Sequence, residues 1–157
     1  IDIAHALSLL CRANGHIRHF YSVAQHCLNC AKEAEARGLP ADIRLACLLH
    51  DASEAYISDI TRPVKRSLPQ YLEFEAVLQS QIFERFRLSH LGEKEHSAVK
   101  EIDDCLLYYE LLDLMGEEIF EERPEITSVP DLELRDFTVV KTEFLYEFES
   151  LTSALFR

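Results

Sequence analysis

The stretch Leu45-Ala46-Cys47-Leu48-Leu49-His50-Asp51-Ala52-Ser53-Glu54-Ala55 decides how this chain is read. Five apolar residues are followed at once by three titratable groups, His50, Asp51 and Glu54. Such a run belongs to a core-facing helix, and buried charge without a partner is costly. A cation lying over that edge of the helix would offset the cost. Neighbouring helical side chains point about 100° apart, so one ion can take His50 and Asp51 together. Glu54, four residues after His50, shares its face. The doublet alone carries little weight, because 7 His and nine Asp in 157 residues give about 0.4 His-Asp pairs by chance. Its place at the end of an apolar run is what raises it.

Around this stretch the periodicity predicts an all-α chain. Only 4 Gly and 5 Pro punctuate it, and they fall between periodic segments. Helices are predicted over about Asp2 to Cys11, Ser22 to Arg37, Asp42 to Tyr56, Gln70 to Leu88, Lys94 to Met115 and Asp136 to Leu155. Gly38 marks the C-terminus of the second, and Asp136 is placed to cap the last. The stretch Ser58 to Pro69 reads as a loop with a turn or two, and residues 116 to 135, with two prolines and six Glu, as a solvent-facing connection. The Gln70 helix carries Tyr71, Phe74, Leu78, Ile82 and Phe86 at helical spacing, and the last carries Val140, Phe144, Phe148, Leu151 and Leu155. The 157 residues amount to one domain, 1–157, of about six helices, large enough for its own core.

Sixteen basic residues against 28 acidic ones give a net charge of −12. A chain so acidic lacks the Lys/Arg footprint that DNA or RNA requires, so nucleic acid is excluded as a partner. A small anionic substrate would need a local source of positive charge. No apolar run is long enough to span a membrane, and the opening Ile1-Asp2-Ile3-Ala4-His5 has no basic leader region. The 5 cysteines sit inside helical patterns and read as reduced core residues, including Cys27-x-x-Cys30, so a cytoplasmic location is expected.

Further ligands for a metal at His50 and Asp51 must come from other helices. His26 interrupts the apolar Ser22-Val23-Ala24-Gln25-His26-Cys27-Leu28, and Asp103 or Asp104 follows Ile102 beside the stripe Val99, Ile102, Leu106, Tyr109. Two neutral imidazoles and two carboxylates form a mixed nitrogen and oxygen set suited to one divalent ion, among Mn, Co, Fe, Ni, Zn and Mg.

Taken together, Ser22-Val23-Ala24-Gln25-His26, then His50-Asp51, then Val99-Lys100-Glu101-Ile102-Asp103 resembles the HD-domain phosphohydrolase superfamily. Glu54 and the following Asp59-Ile60-Thr61-Arg62-Pro63-Val64-Lys65 are similar to its small bacterial and phage branch, which includes 5′-deoxynucleotidases. Leu10-Cys11-Arg12 and Gly15-His16 resemble that branch's substrate-side segment, so the likeness covers about residues 3 to 110. The resemblance implies an HD-type helical bundle. It implies a metal held by His26, His50, Asp51 and Asp103, and Glu54 and Asp59 as the groups that handle the attacking water and the leaving-group proton. Arg12, Arg18, Arg62 and Lys65 are candidates to neutralise phosphate oxygens. Pro63 disfavours the helical conformation for Arg62 and is expected to hold it extended. Where several relatives place a large aromatic after the arginine, this chain has Ala13 and no Trp anywhere, so no base or sugar preference is implied.

The expected activity is hydrolysis of a nucleotide phosphate ester, with a (deoxy)nucleoside 5′-monophosphate ahead of a dNTP. The alternative in another class is a non-catalytic metal-binding regulatory module. A homodimer or higher homo-oligomer is expected, with Phe144, Tyr146, Phe148 and Phe156 as exposed aromatics of its interface.

Overall fold

The computed structural model describes residues 1–118 and 121–156. Among these there are eight α-helices and no strand, so the fold is all-α. They are α1 (Asp2–Leu9), α2 (Val23–Ala36), α3 (Ala41–Leu49), α4 (Glu54–Ile57), α5 (Arg62–Lys65), α6 (Pro69–Arg85), α7 (Glu93–Met115) and α8 (Phe137–Leu155). A single 3-10 turn covers Arg12–Gly15. No helix among the described residues is long and apolar enough to cross a membrane.

Helix α2 is the centre of the packing, in contact with α1, α3, α7 and α8. Its start is fixed by a reciprocal cap in which Ser22 Oγ accepts from the Gln25 amide and Gln25 Oε1 accepts from the Ser22 amide. Beyond its apolar face, α2 also buries Gln25, His26, Asn29 and Glu33. The core is continued by Ile43, Leu45, Ala46, Leu48 and Leu49 of α3, Val99, Ile102 and Leu106 of α7, and Val140, Phe144 and Leu151 of α8.

Four expectations are corrected. The Asp42-to-Tyr56 helix is two helices with a tightened turn between them, at the His50-Asp51 doublet itself. The connection after α7 does not all face solvent, because its second half crosses α2. The Asn29 amide donates to the Asp131 carbonyl at 3.0 Å, the Glu33 carboxylate accepts from the Thr127 and Ser128 amides, and Gln25 donates to the Glu133 carbonyl. Buried polar groups require partners. The stripe Gln25, Asn29, Glu33, one residue per turn of α2, finds them in this extended strap.

The third correction concerns surface aromatics. Phe144 is buried and Phe148 packs edge-on against Phe86, so neither offers an exposed interface, whereas Tyr146 and Phe156 do stand exposed. In α6, by contrast, Phe74 faces solvent, and only the end of that helix, Ile82 and Phe83, is buried. Arg62 is not held extended: α5 starts at it, with Pro63 in the first turn, where a missing amide proton costs nothing.

Candidate metal centre

Three helices bring four side chains to one point. His26 comes from the middle of α2, His50 and Asp51 from the turn after α3, and Asp103 from α7. His26 Nε2 lies 3.2 Å from His50 Nε2, 3.1 Å from Asp103 Oδ1 and 3.8 Å from Asp51 Oδ2. His50 Nε2 lies 3.3 Å from Asp51 Oδ2 and 3.7 Å from Asp103 Oδ1. Nitrogen and oxygen ligands at about 2.0–2.2 Å from a common ion stand roughly 3.0–3.6 Å from one another. Three of the five separations fall inside that range and the other two, 3.7 and 3.8 Å, lie just outside it, so the four side chains are close enough to share one ion.

The imidazoles are also turned the right way. His50 Nδ1 donates to the Cys47 carbonyl at 2.7 Å, and His26 Nδ1 donates to Glu110 Oε1 at 2.6 Å. Each ring thus spends one nitrogen on an acceptor and presents Nε2 to the centre, the arrangement that fixes tautomer and orientation at metal sites. Glu110 is itself held. Its Oε1 accepts from Tyr21 Oη at 2.9 Å, and Arg12 reaches its Oε2 at 3.3 Å. Arg12 also approaches Asp51 at 3.4 Å, so one guanidinium braces a ligand and a ligand's support together. Arg12 is delivered there by the loop between α1 and α2, pinned by its amide to the Tyr21 carbonyl.

The electrostatics ask for a cation. Burial opposes a charged imidazole at His50, yet Asp51 and Asp103 raise its pKa well above the ordinary value. At His26 burial and Arg12 act downward, and Glu110 and Asp103 overcome them. Burial acts upward on Asp103, but hydrogen bonds from the two histidines hold its pKa well below the carboxylate range. A divalent ion would take over the role of these protons and release them on binding.

Glu54 is nearly fully buried, and its Oε2 has no hydrogen-bond partner. Its pKa is pushed up to about 9, first by burial and then by Asp51 and Asp59. An orphaned buried oxygen beside a donor set of two imidazoles and two carboxylates fits a site that also holds a polar ligand or water. Burial, followed by Asp51, also raises Asp59 against the opposing charge of Arg12.

The sequence expectations are distributed unevenly over this site. Arg12, Glu54, Asp59, Arg62 and Lys65 line one cavity of about 430 Å³ with Asp51, Asp103 and Glu110, and Ile17, Leu107, Leu111 and Leu114 add apolar lining. The cations are already paired: Arg62 with Asp103 Oδ2 at 2.6 Å and with Asp104, and Lys65 with Glu75 at 2.6 Å. Arg18 is not brought to the cavity. It forms an exposed ion pair with Asp113. Asp104 points to Lys100 and Arg62, while Asp103 faces the histidines.

Glu110 was missed, although a signal existed. It is the one charge in Leu106-Leu107-Tyr108-Tyr109-Glu110-Leu111-Leu112, two turns after Asp103 on the same helix. Two cysteines also lie closer than expected, since His26, Cys30 and His50, and likewise Cys27, His50 and Asp51, form groups able to hold an ion. Burial raises the Cys27 thiol to about 11 and Cys30 well above its ordinary value, which disfavours the thiolate in the metal-free protein.

No family model matches the chain. It is 44% identical over 87 residues to the uncharacterized protein YfdR of Escherichia coli, across 55% of this chain and 46% of that protein. It is 40% identical over 93 residues to an uncharacterized protein of Rhodobacter capsulatus, across 55% of this chain and 47% of that one. The chain spans about half the length of the curated relatives it matches.

Proposed function

We propose that the chain is a metal-dependent phosphohydrolase of the HD type, acting on the phosphate ester of a nucleotide, with a (deoxy)nucleoside 5′-monophosphate as substrate and nucleoside and phosphate as products. The observation that carries this reading is the convergence of His26, His50, Asp51 and Asp103 next to the buried, unpartnered Glu54 Oε2.

His26, His50, Asp51 and Asp103 would hold the ion. When bound, a divalent cation polarises a phosphoryl oxygen and makes a water acidic enough to attack near neutral pH. Glu54 is protonated at neutral pH while its pKa stays near 9, and neighbouring positive charge brings it down toward the range in which a carboxyl exchanges protons during turnover. Asp59, on the same cavity wall, shares that duty. Arg12 and Lys65 face the cavity and orient the anion, and Arg62 fixes Asp103 by occupying its second oxygen.

The charge inventory supports a monophosphate. Arg12, Arg62 and Lys65 each already answer at least one carboxylate, which leaves little positive charge for a chain of three phosphates. The test is a screen of nucleoside mono-, di- and triphosphates with Mn²⁺, Co²⁺ and Mg²⁺, with products separated by chromatography. Deoxyadenosine and orthophosphate from dAMP are expected. Tripolyphosphate from dATP with no turnover of dAMP overturns the substrate, and no turnover of any nucleotide by metal-loaded protein overturns the enzyme.

A further inference from the structure

The turn that carries His50 and Asp51 departs from α-helical hydrogen bonding, and its cause lies thirty residues away. After Leu49 the backbone bonds shorten their reach: the Ala52 amide donates to the Leu49 carbonyl, Glu54 to Asp51 and Tyr56 to Ser53, each three residues back. In a continuous α-helix the Ser53 amide would donate to the Leu49 carbonyl. Here a side-chain amide from α6 stands between the two. Gln79 Nε2 donates to the Leu49 carbonyl at 2.7 Å, and Gln79 Oε1 accepts from the Ser53 amide at 3.1 Å. A side-chain amide offers a donor and an acceptor on separate atoms about 2.2 Å apart, and this orientation of Gln79 satisfies both backbone groups. Ala52 and Ser53 are buried, so water does not compete for these groups.

The consequence reaches the site. Three residues per turn eclipse positions i and i+3, whereas α-helical winding brings i and i+4 nearest. Across 50–54 the tightening therefore stacks Glu54 over Asp51, where an unbroken helix would set it over His50.

We propose that Gln79 is a positioning residue: its amide splints the Leu49–Ser53 break and so places Glu54 over Asp51 for the chemistry. The part of this that concerns chemistry rests on the phosphohydrolase reading. The part that concerns geometry does not.

The first arm is therefore structural and needs no activity. In crystals of metal-free Gln79→Leu, the Ser53 amide is expected to move onto the Leu49 carbonyl, with Glu54 rotated about 60° toward His50, the difference accumulated over three residues between the two windings. An unchanged 49–54 backbone overturns the proposal, whatever the protein does. The second arm is kinetic. Gln79→Leu should keep Mn²⁺ affinity by calorimetry and KM within about threefold, while kcat for the nucleotide falls by at least about 10²-fold, because a rotation of that size moves the carboxyl farther than the ~1 Å misplacement that already costs that much.

Rescue separates positioning from mere support. Ser53→Pro has no amide proton to return to Leu49, and the Ser53 φ of −61° suits proline. The double variant Gln79→Leu, Ser53→Pro should recover most of kcat, and a double variant as slow as Gln79→Leu overturns the placement role. Gln79→Glu, which keeps the acceptor for Ser53, serves if the leucine variant does not fold. It should retain the break and the position of Glu54, and a straightened helix in it overturns the proposal equally. If the wild-type protein turns over no nucleotide, the functional reading fails while the structural arm still decides the splint.

Discussion

Glu33 and Glu54 are both buried glutamates, and the protein treats them in opposite ways. Glu33 is surrounded by donors: the Ser128 hydroxyl at 2.6 Å, the Ser128 and Thr127 amides, and the Arg37 guanidinium at 2.7 Å. Burial alone would raise its pKa, but these hydrogen bonds, led by that of the Ser128 hydroxyl, hold it below the ordinary value. Glu54 has an orphaned oxygen, a lysine no nearer than 3.7 Å and two carboxylates for neighbours, and its pKa rises to about 9. The first carboxylate is complete within the fold and fastens the strap to α2. The second is incomplete, and what completes it must come from outside the chain. Burial does not set the two acids apart. Satisfaction does.

The sharpest way to break this contrast is to neutralise each acid without changing its shape. Glu54→Gln should lower kcat by about 10²–10⁴, the range expected when a proton-transfer group is lost, while the protein keeps its Mn²⁺ and its melting temperature does not fall. Metal loss in parallel with activity would instead make Glu54 a ligand. Next in size is Glu110→Gln, where a weaker acceptor for His26 Nδ1 should cost about 10- to 100-fold in Mn²⁺ affinity by calorimetry. An unchanged affinity would reduce the Glu110–His26 bond to packing.

Glu33→Gln should leave kcat per folded molecule unchanged and cost about 1–3 kcal/mol in urea unfolding, because amides and a hydroxyl lose a charged acceptor. The pH dependence of the two acids runs in opposite senses. Glu33 has its pKa lowered on folding, so its contribution is full above its ordinary value of 4.5 and is lost as pH falls through the folded value. Glu54 has its pKa raised, so its contribution is full below 4.5 and is lost as pH rises toward about 9. In metal-free protein the urea midpoint should therefore decline on both flanks. Glu33→Gln should flatten the acid flank and Glu54→Gln the alkaline one. If the two substitutions flatten the same flank, the comparison collapses.

The four residues that converge at the candidate site were legible in the sequence for a physical reason. Each is a charge or an imidazole set into an apolar helical run, and such residues are rarely placed there without a partner. Glu110 obeys the same rule. The strap over α2 was not legible, because an extended segment that bonds to side chains has no period of its own. The break after Leu49 was hidden more deeply. Leu49 to Ala55 has unexceptional helix propensity, and the interruption is imposed by Gln79 from another helix, a tertiary effect that overrides local preference. Four-residue spacing puts Glu54 on His50's face only where the winding is regular, and here the backbone bonds of Ala52, Glu54 and Tyr56 reach three residues back.

The smallest expected effect marks where the site stops. Arg18 and Arg12 lie six residues apart in the same loop, and both are candidates on charge alone. Arg12 is mostly buried between Asp51 and Glu110, whereas the Arg18 side chain is 52% exposed and its partner Asp113 is 42% exposed. An exposed pair gains little Coulomb energy in high dielectric and gives up side-chain entropy to form, so Arg18→Ala should change stability by no more than about 0.5 kcal/mol. It should also leave KM and kcat for dAMP within about twofold at 0.15 M salt, where charges beyond about 8 Å are largely screened. Arg12→Ala, in contrast, strips support from a ligand and from Glu110 together, and should weaken both Mn²⁺ binding and turnover. A KM that rises several-fold in Arg18→Ala would mean that the loop closes on substrate far enough to carry Arg18 over the cavity. The boundary between the satisfied and the unsatisfied parts of the molecule would then have to be redrawn to include it.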